Sequence, residues 1–390
     1  MNVEGMTTLR ELAVNGGEPI SPRRIPLAKP VIDIAVLNEI REVLESGQLK
    51  QGSRVREFEG LFAEKTGARY AYAVCNGTAA LHTAYLSALC PGDEVIVPSF
   101  TFIATASMVH HSAARPVFAD IDPDTYLIDP GDVAEKITPR TRAIVPVHLF
   151  GNAADLDGLR DLCEDHGLIM IHDAAQAHGT RYGGRDIGGY DNLCCYSFYP
   201  SKTITTGEGG MVTTNDEVLH RRGVLLRSHG DEGRYQHVLL GFNYRLTEVA
   251  AVVGISQLRR LDEFIRRRKT CGGYLKKHLR RIDGLHPQET TPKADHSYSY
   301  FSLTLDPKRL KCSRDQFAEA LTAENIDCAV HYPAPLTQQP AMKGLYGGRC
   351  PVSEDVSRRI LSLPMHPSLT DDDLKLIVAG VEKVAGYYLR

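Results

Sequence analysis

The chain has 390 residues and a formal net charge of −3 at pH 7, with 43% hydrophobic and 24% charged residues. That is the balance of an ordinary globular protein of about two to three domains. No lysine/arginine block dominates and no apolar run reaches transmembrane length, which sets aside nucleic-acid binding and membrane insertion.

The first thirty residues carry Gly16, Gly17, Pro19, Pro22, Pro26 and Pro30, a density that predicts an extended arm over the body surface. Glu4 and Glu11 fall where a secretory leader would need an apolar stretch, so none is expected. The nine cysteines lack C-x-x-C spacing and fit free thiols in a reducing cytoplasm, not disulfides or zinc. Helices are predicted over residues 33–46, closed by Gly47, and over 54–66, closed by Gly67. The second places Val55, Phe58, Leu61 and Phe62 on one face.

A strand at residues 70–75 opens through Asn76-Gly77-Thr78-Ala79 into an Ala/Leu-rich helix. The free N–H groups of such a helix start suit a phosphate; a plain N-cap by Asn76 or Thr78 gives the same pattern. Residues 94–98 form the next strand, followed by Phe100 and Phe102. One of the two could stack on a flat ring, and both could equally be core. The runs 116–119, 143–147 and 168–171 end in Asp120, His148 and His172-Asp173, with a helix at 156–166 between the last two. Short apolar strands without alternation, separated by helices, predict a parallel sheet covered on both faces, with ligands at the carboxyl ends of its strands. Asp173 stands at such an end, as a binding carboxylate or a turn residue, and His178 reads as a hydrogen-bonded structural histidine.

Residues 194–198 form a buried strand that breaks at Pro200, presents Ser201-Lys202 and dissolves into threonine and glycine. Desolvation of a lysine there would favour the neutral amine that attacks carbonyls and builds Schiff bases; a loop lysine that merely follows a strand gives the same local pattern. A long helix over residues 247–279 then carries the chain into a second domain, with Arg266, Arg267, Arg268 and Lys269 on its solvated face. The remainder contains a strand at 300–305, a helix at 314–324, the segment AVHYPAP at 329–335, a loop at 363–367 and an amphipathic helix from Asp371. The division expected is an arm at 1–30, a large domain at 31–254 and a small domain at 255–390.

A phosphate cup (Gly77, Thr78, Ala79), an aromatic plate (Phe102), a strand-end carboxylate (Asp173) and a lysine 29 residues beyond it (Lys202) are together what pyridoxal 5'-phosphate requires. The carboxylate keeps the pyridine nitrogen protonated, and the lysine holds the aldehyde and shuttles the proton.

These residues sit in NGTAAL (76–81), PSFTFIATA (98–106), HDAAQAHG (172–179), SFYPSKTITTGEGG (197–210), FNYRLTE (242–248), VHYPAPL (330–336) and LPMHP (363–367). With them the chain resembles the DegT/DnrJ/EryC1/StrS family of sugar aminotransferases over nearly its whole length. The resemblance implies an α/β protein of the pyridoxal-phosphate-dependent transferase type I fold. A large, doubly wound, mostly parallel sheet domain would be joined to a smaller C-terminal α+β domain. It implies Lys202 as the Schiff-base lysine, Asp173 opposite the pyridine nitrogen, Gln176 near the ring hydroxyl and Phe102 on the ring. Thr78, Ala79 and Ser197 would hold the phosphate, joined by Asn243 from the second subunit of a homodimer with shared sites. His331 and Tyr332 would face the substrate. Ser201 stands where many members have threonine.

The activity implied is transfer of an amino group from L-glutamate or L-glutamine to a keto sugar, foremost a nucleotide-linked keto-deoxysugar, in the cytoplasm. The segment NGGEP at 15–19 is similar to a branch acting on keto-cyclitols of the scyllo-inosose type. Two readings of other classes stand beside these: a sugar dehydratase on the same scaffold, and a non-catalytic regulatory protein. Some relatives replace the lysine with histidine and dehydrate; retention of Lys202 favours amination.

Overall fold

The unalternated apolar runs assemble into one seven-stranded sheet. Its strands are β1 (Tyr70–Val74), β2 (Glu94–Pro98), β3 (Arg115–Ala119), β4 (Thr141–Ile144), β5 (Ile169–Asp173), β6 (Leu193–Ser197) and β7 (Gly210–Thr214), in the spatial order β1-β7-β6-β5-β4-β2-β3. The computed structural model describes residues 11–190 and 193–389, so the expectation at Glu4 lies outside the described residues. All pairings among β2, β3, β4, β5 and β6 are parallel. β7 runs antiparallel to both of its neighbours.

Alternate residues of one strand enter different cores. Ile96 packs into the cluster of Phe58, Phe62 and Phe198, whereas Val95 and Val97 join Tyr85, Val109 and Ile171. Both faces are therefore apolar, which is why the strand sequences show no alternation. The chain is α/β with a large, mostly parallel sheet, as expected.

Helix α1 spans Val36–Ser46 and starts after residue 33, because the Asp33 carboxylate accepts the Ala35 N–H (3.0 Å) in a turn that delays it. Helix α2 (Ser53–Thr66) buries Val55, Phe58 and Phe62, with Leu61 half-buried beside them. Its N-terminus is completed from far away. The buried Glu248 carboxylate accepts the N–H groups of Gly52, Arg54 and Val55 at 2.8–3.0 Å, satisfying donors that the helix itself cannot. The final glutamate of FNYRLTE is thereby explained as a helix cap.

A second, antiparallel sheet follows: β8 (Leu285–Pro287), β9 (Phe301–Leu305) and β10 (Ile360–Leu363). It packs on the helices Arg314–Ala323 and Asp371–Tyr388 through Leu303, Phe317, Leu363, Ile377 and Val381. Among the described residues no helix is long and apolar enough to cross a membrane.

Three expectations are corrected here. The single helix over 247–279 is two helices, Glu248–Arg259 and Leu261–Leu279, broken at Arg260 (φ −103°, ψ 1°). The first packs on α2; the second begins in that same core through Leu261, Phe264 and Ile265 and runs on into the other core through Cys271, Leu275 and Leu279. The arm is not merely laid over the surface: Leu12 and Ile25 are fully buried with Phe317 and Ile326. The buried Glu324 accepts the N–H groups of Ala13 (2.9 Å) and Ile20 (2.7 Å) and pairs with Lys383. Finally, Arg268 is not on a solvated face; it is 3% exposed and donates to the carbonyls of Tyr298, Ser299 and Met365.

Candidate active site

The carboxyl edge of the large sheet gathers most of the predicted residues. Val74, Gly210 and Ser197 are paired in register across β1, β7 and β6, so the chain leaving β1 passes directly beside Ser197. It enters helix α3 (Gly77–Ala88) there. Gly77 has to be glycine: a Cβ at this position would lie 2.6 Å from that of Ser197.

Asn76 is the N-cap of α3, and its side chain accepts the Ala79 N–H at 2.8 Å. The expected three-residue cup is thus reduced. The Ala79 N–H is occupied, while those of Gly77 and Thr78 have no partner among the described residues. The cap and the cup are both present, sharing one helix start.

Asp173 ends β5 almost completely buried. One oxygen accepts the Thr105 hydroxyl (2.8 Å) and the other the Ala175 N–H (3.1 Å). Burial pushes its pKa up; Thr105, the Ala175 N–H and Lys202 oppose that rise by favouring the carboxylate. Lys202 follows β6 in a tight turn, its N–H donating to the Tyr199 carbonyl (2.9 Å). Burial pulls its amine down to about 8, with Asp173 acting in the opposite sense. Among the described residues the amine has no hydrogen bond and no ion pair within contact distance. It is a desolvated amine held near a carboxylate without being neutralised by it.

The two phenylalanines separate. Phe100 is in the core, and Phe102 is 55% exposed, leaving its ring open to a ligand. Tyr332 lies 6.1 Å and 6.2 Å from the two rings and links them to Gln176, whose amide donates to the Tyr332 hydroxyl at 3.1 Å. Gln176 also accepts the Phe150 N–H (2.8 Å), so both ends of its side chain are fixed. His331 is close to Ser362 (3.2 Å) and packs on Tyr300 (4.7 Å); burial draws its pKa down to about 4. Tyr332 is thus joined to the site's side chains, and His331 is turned toward the second sheet.

Asn243 is exposed and sits in an extended segment bridged to Ser228. Within its own chain it makes no side-chain hydrogen bond to the cup residues. His178 departs from expectation: it is buried against Tyr196 and Phe198, and among the described residues neither ring nitrogen has a hydrogen-bond partner. Its pKa is pulled down to about 3 by burial, so the ring stays neutral.

Four supporting residues were not given roles from sequence. Thr105 holds the Asp173 carboxylate, and Tyr300 donates to the Ser201 hydroxyl (2.8 Å), bracing the residue before Lys202. His148 and His172 stack, joined between Nε2 and Nδ1 at 3.0 Å. Since His148 Nδ1 accepts the Ala154 N–H (3.1 Å), the proton between the rings belongs to His148. The pair pins the strand end at Asp173, whose carbonyl accepts the His148 N–H (3.0 Å). A threonine inside PSFTFIATA and polar residues closing buried strands were the available signals.

The profile of the DegT/DnrJ/EryC1/StrS aminotransferase family matches residues 30–382. The chain is 37% identical over 350 residues to UDP-N-acetyl-3-dehydro-alpha-D-glucosamine 3-aminotransferase of Acidithiobacillus ferrooxidans, covering 89% of this chain and 93% of that protein. It is 36% identical over 366 residues to GDP-perosamine synthase of Caulobacter vibrioides, covering 93% and 98%. Among solved structures, Helicobacter pylori PseC, an aminotransferase involved in the biosynthesis of pseudoaminic acid, superposes with a TM-score of 0.89. The identity is 29%, over 94% of this chain and 100% of that one.

Proposed function

The chain belongs to the DegT/DnrJ/EryC1/StrS aminotransferase family, and from that premise we propose that it moves an amino group from L-glutamate or L-glutamine to a nucleotide-linked keto-deoxysugar. That it is an aminotransferase follows from the family; the donor, the acceptor and the residue roles are our reading. The observation that carries it is the desolvated Lys202 amine held near the buried Asp173 carboxylate, beside a helix start with two unpaired N–H groups.

Pyridoxal phosphate suits these residues. A dianionic phosphate fits the Gly77 and Thr78 N–H groups at the positive end of α3, and the cradle stays open because Gly77 has no Cβ. When bound, the cofactor supplies an electron-withdrawing ring that carries the amino group between donor and acceptor. Asp173, whose carboxylate form Thr105 and the Ala175 N–H favour against the effect of burial, would secure the ring nitrogen. The exposed face of Phe102 would cover the ring, with Gln176 and Tyr332 on the side of its hydroxyl. Ser197, Thr78 and the Gly77 N–H would hold the phosphate, with Ala79 beside it at the helix start but its N–H given to Asn76. Lys202 Nζ, neutral for a useful fraction of the time near neutral pH, takes and returns the proton at the substrate carbon that gains or loses nitrogen.

The nucleotide-linked acceptor is supported by the named activities of the relatives, which concern UDP- and GDP-linked sugars. The NGGEP segment lends the cyclitol alternative little weight: Asn15 donates to Tyr387 (3.1 Å) and the Glu18 carbonyl accepts from Lys383 (2.9 Å). Those contacts belong to the C-terminal helix. The test is to offer UDP- and GDP-linked keto sugars and keto-inositols with each donor and to weigh the products by mass spectrometry. Aminated nucleotide sugar is expected. Amination of keto-inositol alone would move the assignment to cyclitols, and loss of water without amination would move it to a dehydratase.

The phosphate site as built in one chain leaves oxygen positions open, and the exposed Asn243 is available to a second copy. We take the active unit to be a homodimer in which Asn243 of one subunit reaches the other's phosphate. Lys202→Ala and Asn243→Trp should each be inactive and should complement when mixed under subunit exchange. Confirmed heterodimers without recovered activity would refute the shared site.

A further inference from the structure

The Lys202 amine makes no hydrogen bond of its own among the described residues, so its place is set by the backbone that carries it. That backbone is the turn over residues 199–202, closed by the bond from the Lys202 N–H to the Tyr199 carbonyl (2.9 Å). Inside the turn, the Ser201 hydroxyl accepts the Tyr300 O–H at 2.8 Å. What holds Tyr300 therefore bears on where the amine stands.

Tyr300 lies immediately before β9 and is fixed from two directions. Its N–H donates to the Phe150 carbonyl (3.2 Å), and the Phe150 N–H donates to Gln176 (2.8 Å). The carbonyls of Tyr298 and Ser299, just before it, accept from the buried Arg268 Nη1 at 3.2 and 3.0 Å. Among the described residues no carboxylate pairs with that guanidinium. A buried cation served by carbonyls alone is costly, and what it secures is the loop that presents Tyr300. The Tyr300 ring packs on His331 (4.7 Å), and burial raises the pKa of its hydroxyl, so it remains a donor.

We propose that Tyr300 is a positioning residue for Lys202: its hydroxyl clamps Ser201, and the clamped turn keeps the amine away from water. The proposal rests on Lys202 as the reacting amine. Loosening the turn would admit water, which favours the ammonium form. The ionisable groups around the amine are Asp173, which also favours the ammonium form, and His178 and His331, which burial keeps neutral. Arg268 lines the same small cavity as Lys202.

In the full chain freed of cofactor, Tyr300→Phe should move the pH midpoint for amine labelling of Lys202 upward from about 8, by about one pH unit. Ser201→Ala should give the same rise, and the double variant should add nothing, because both changes remove one bond. Ser201→Thr keeps the acceptor and should hold the wild-type midpoint. In the holoenzyme, Tyr300→Phe should lower kcat about tenfold and leave the donor KM within about twofold. Should Tyr300→Phe fail to fold, Ser201→Ala carries the test. An unmoved midpoint, or additive shifts in the double variant, overturns the clamp. The midpoint is read without turnover, so that failure is distinct from pyridoxyl label on another lysine, which would refute the role of Lys202 itself.

Discussion

Lys202→Ala is expected to lower transamination by about 10⁴-fold or more, because in the proposed reaction one side chain would both hold the carbonyl of the cofactor and transfer the proton. The expectation rests on where the amine stands. An amine at about 8 is neutral for roughly a quarter of the time near pH 7.5, against about one part in a thousand for an ordinary lysine. Burial is the cause, and the sign follows from it: removing water penalises the ammonium form, so the proton leaves at lower pH. Borohydride reduction of the wild-type holoenzyme followed by peptide mapping should place the pyridoxyl group on Lys202. Label on another lysine, or activity within tenfold of wild type in the alanine variant, would assign the chemistry elsewhere.

Asp173→Asn is expected to cost between about 10² and 10³-fold in turnover while leaving the fold intact. An amide oxygen can still accept from Thr105 or from the Ala175 N–H, so the strand end should keep its shape. What is lost is the negative charge that would stabilise a protonated ring nitrogen. A second readout is independent of turnover. Asp173 raises the Lys202 pKa, so in cofactor-free protein its removal should shift the pH midpoint for amine labelling of Lys202 below about 8. A half-reaction with glutamate at wild-type speed, or an unmoved midpoint, would leave Asp173 as a turn residue.

Much of this site could be read from the chain because its chemistry lies at strand ends, and strands and helix starts are written locally. The run before Pro200 announced the strand that delivers Lys202. The apolar stretch closing in His172-Asp173 announced the carboxylate. Gly77 after a strand announced the helix start. Each is a pattern within about ten residues, set by backbone geometry and hydrophobic periodicity.

The tertiary structure decided what depends on distant partners. Whether Phe100 or Phe102 offers an open ring turns on core packing, not on the sequence around them. That Asn76 takes the Ala79 N–H, and so narrows the cup, is a choice between two acceptors for one donor. Thr105 meets Asp173 across 68 positions and Tyr300 meets Ser201 across 99. The arm that composition presents as a loose strap is anchored by Glu324, more than 300 positions away. The break at Arg260 has no proline or glycine to mark it; only the folded chain shows its non-helical backbone (φ −103°, ψ 1°). Local propensity is carried by neighbouring residues, whereas burial and hydrogen-bond pairing are properties of the whole packed chain. The former was therefore present in the sequence alone, and the latter arose only when the sheet edges, the arm and the second core came together.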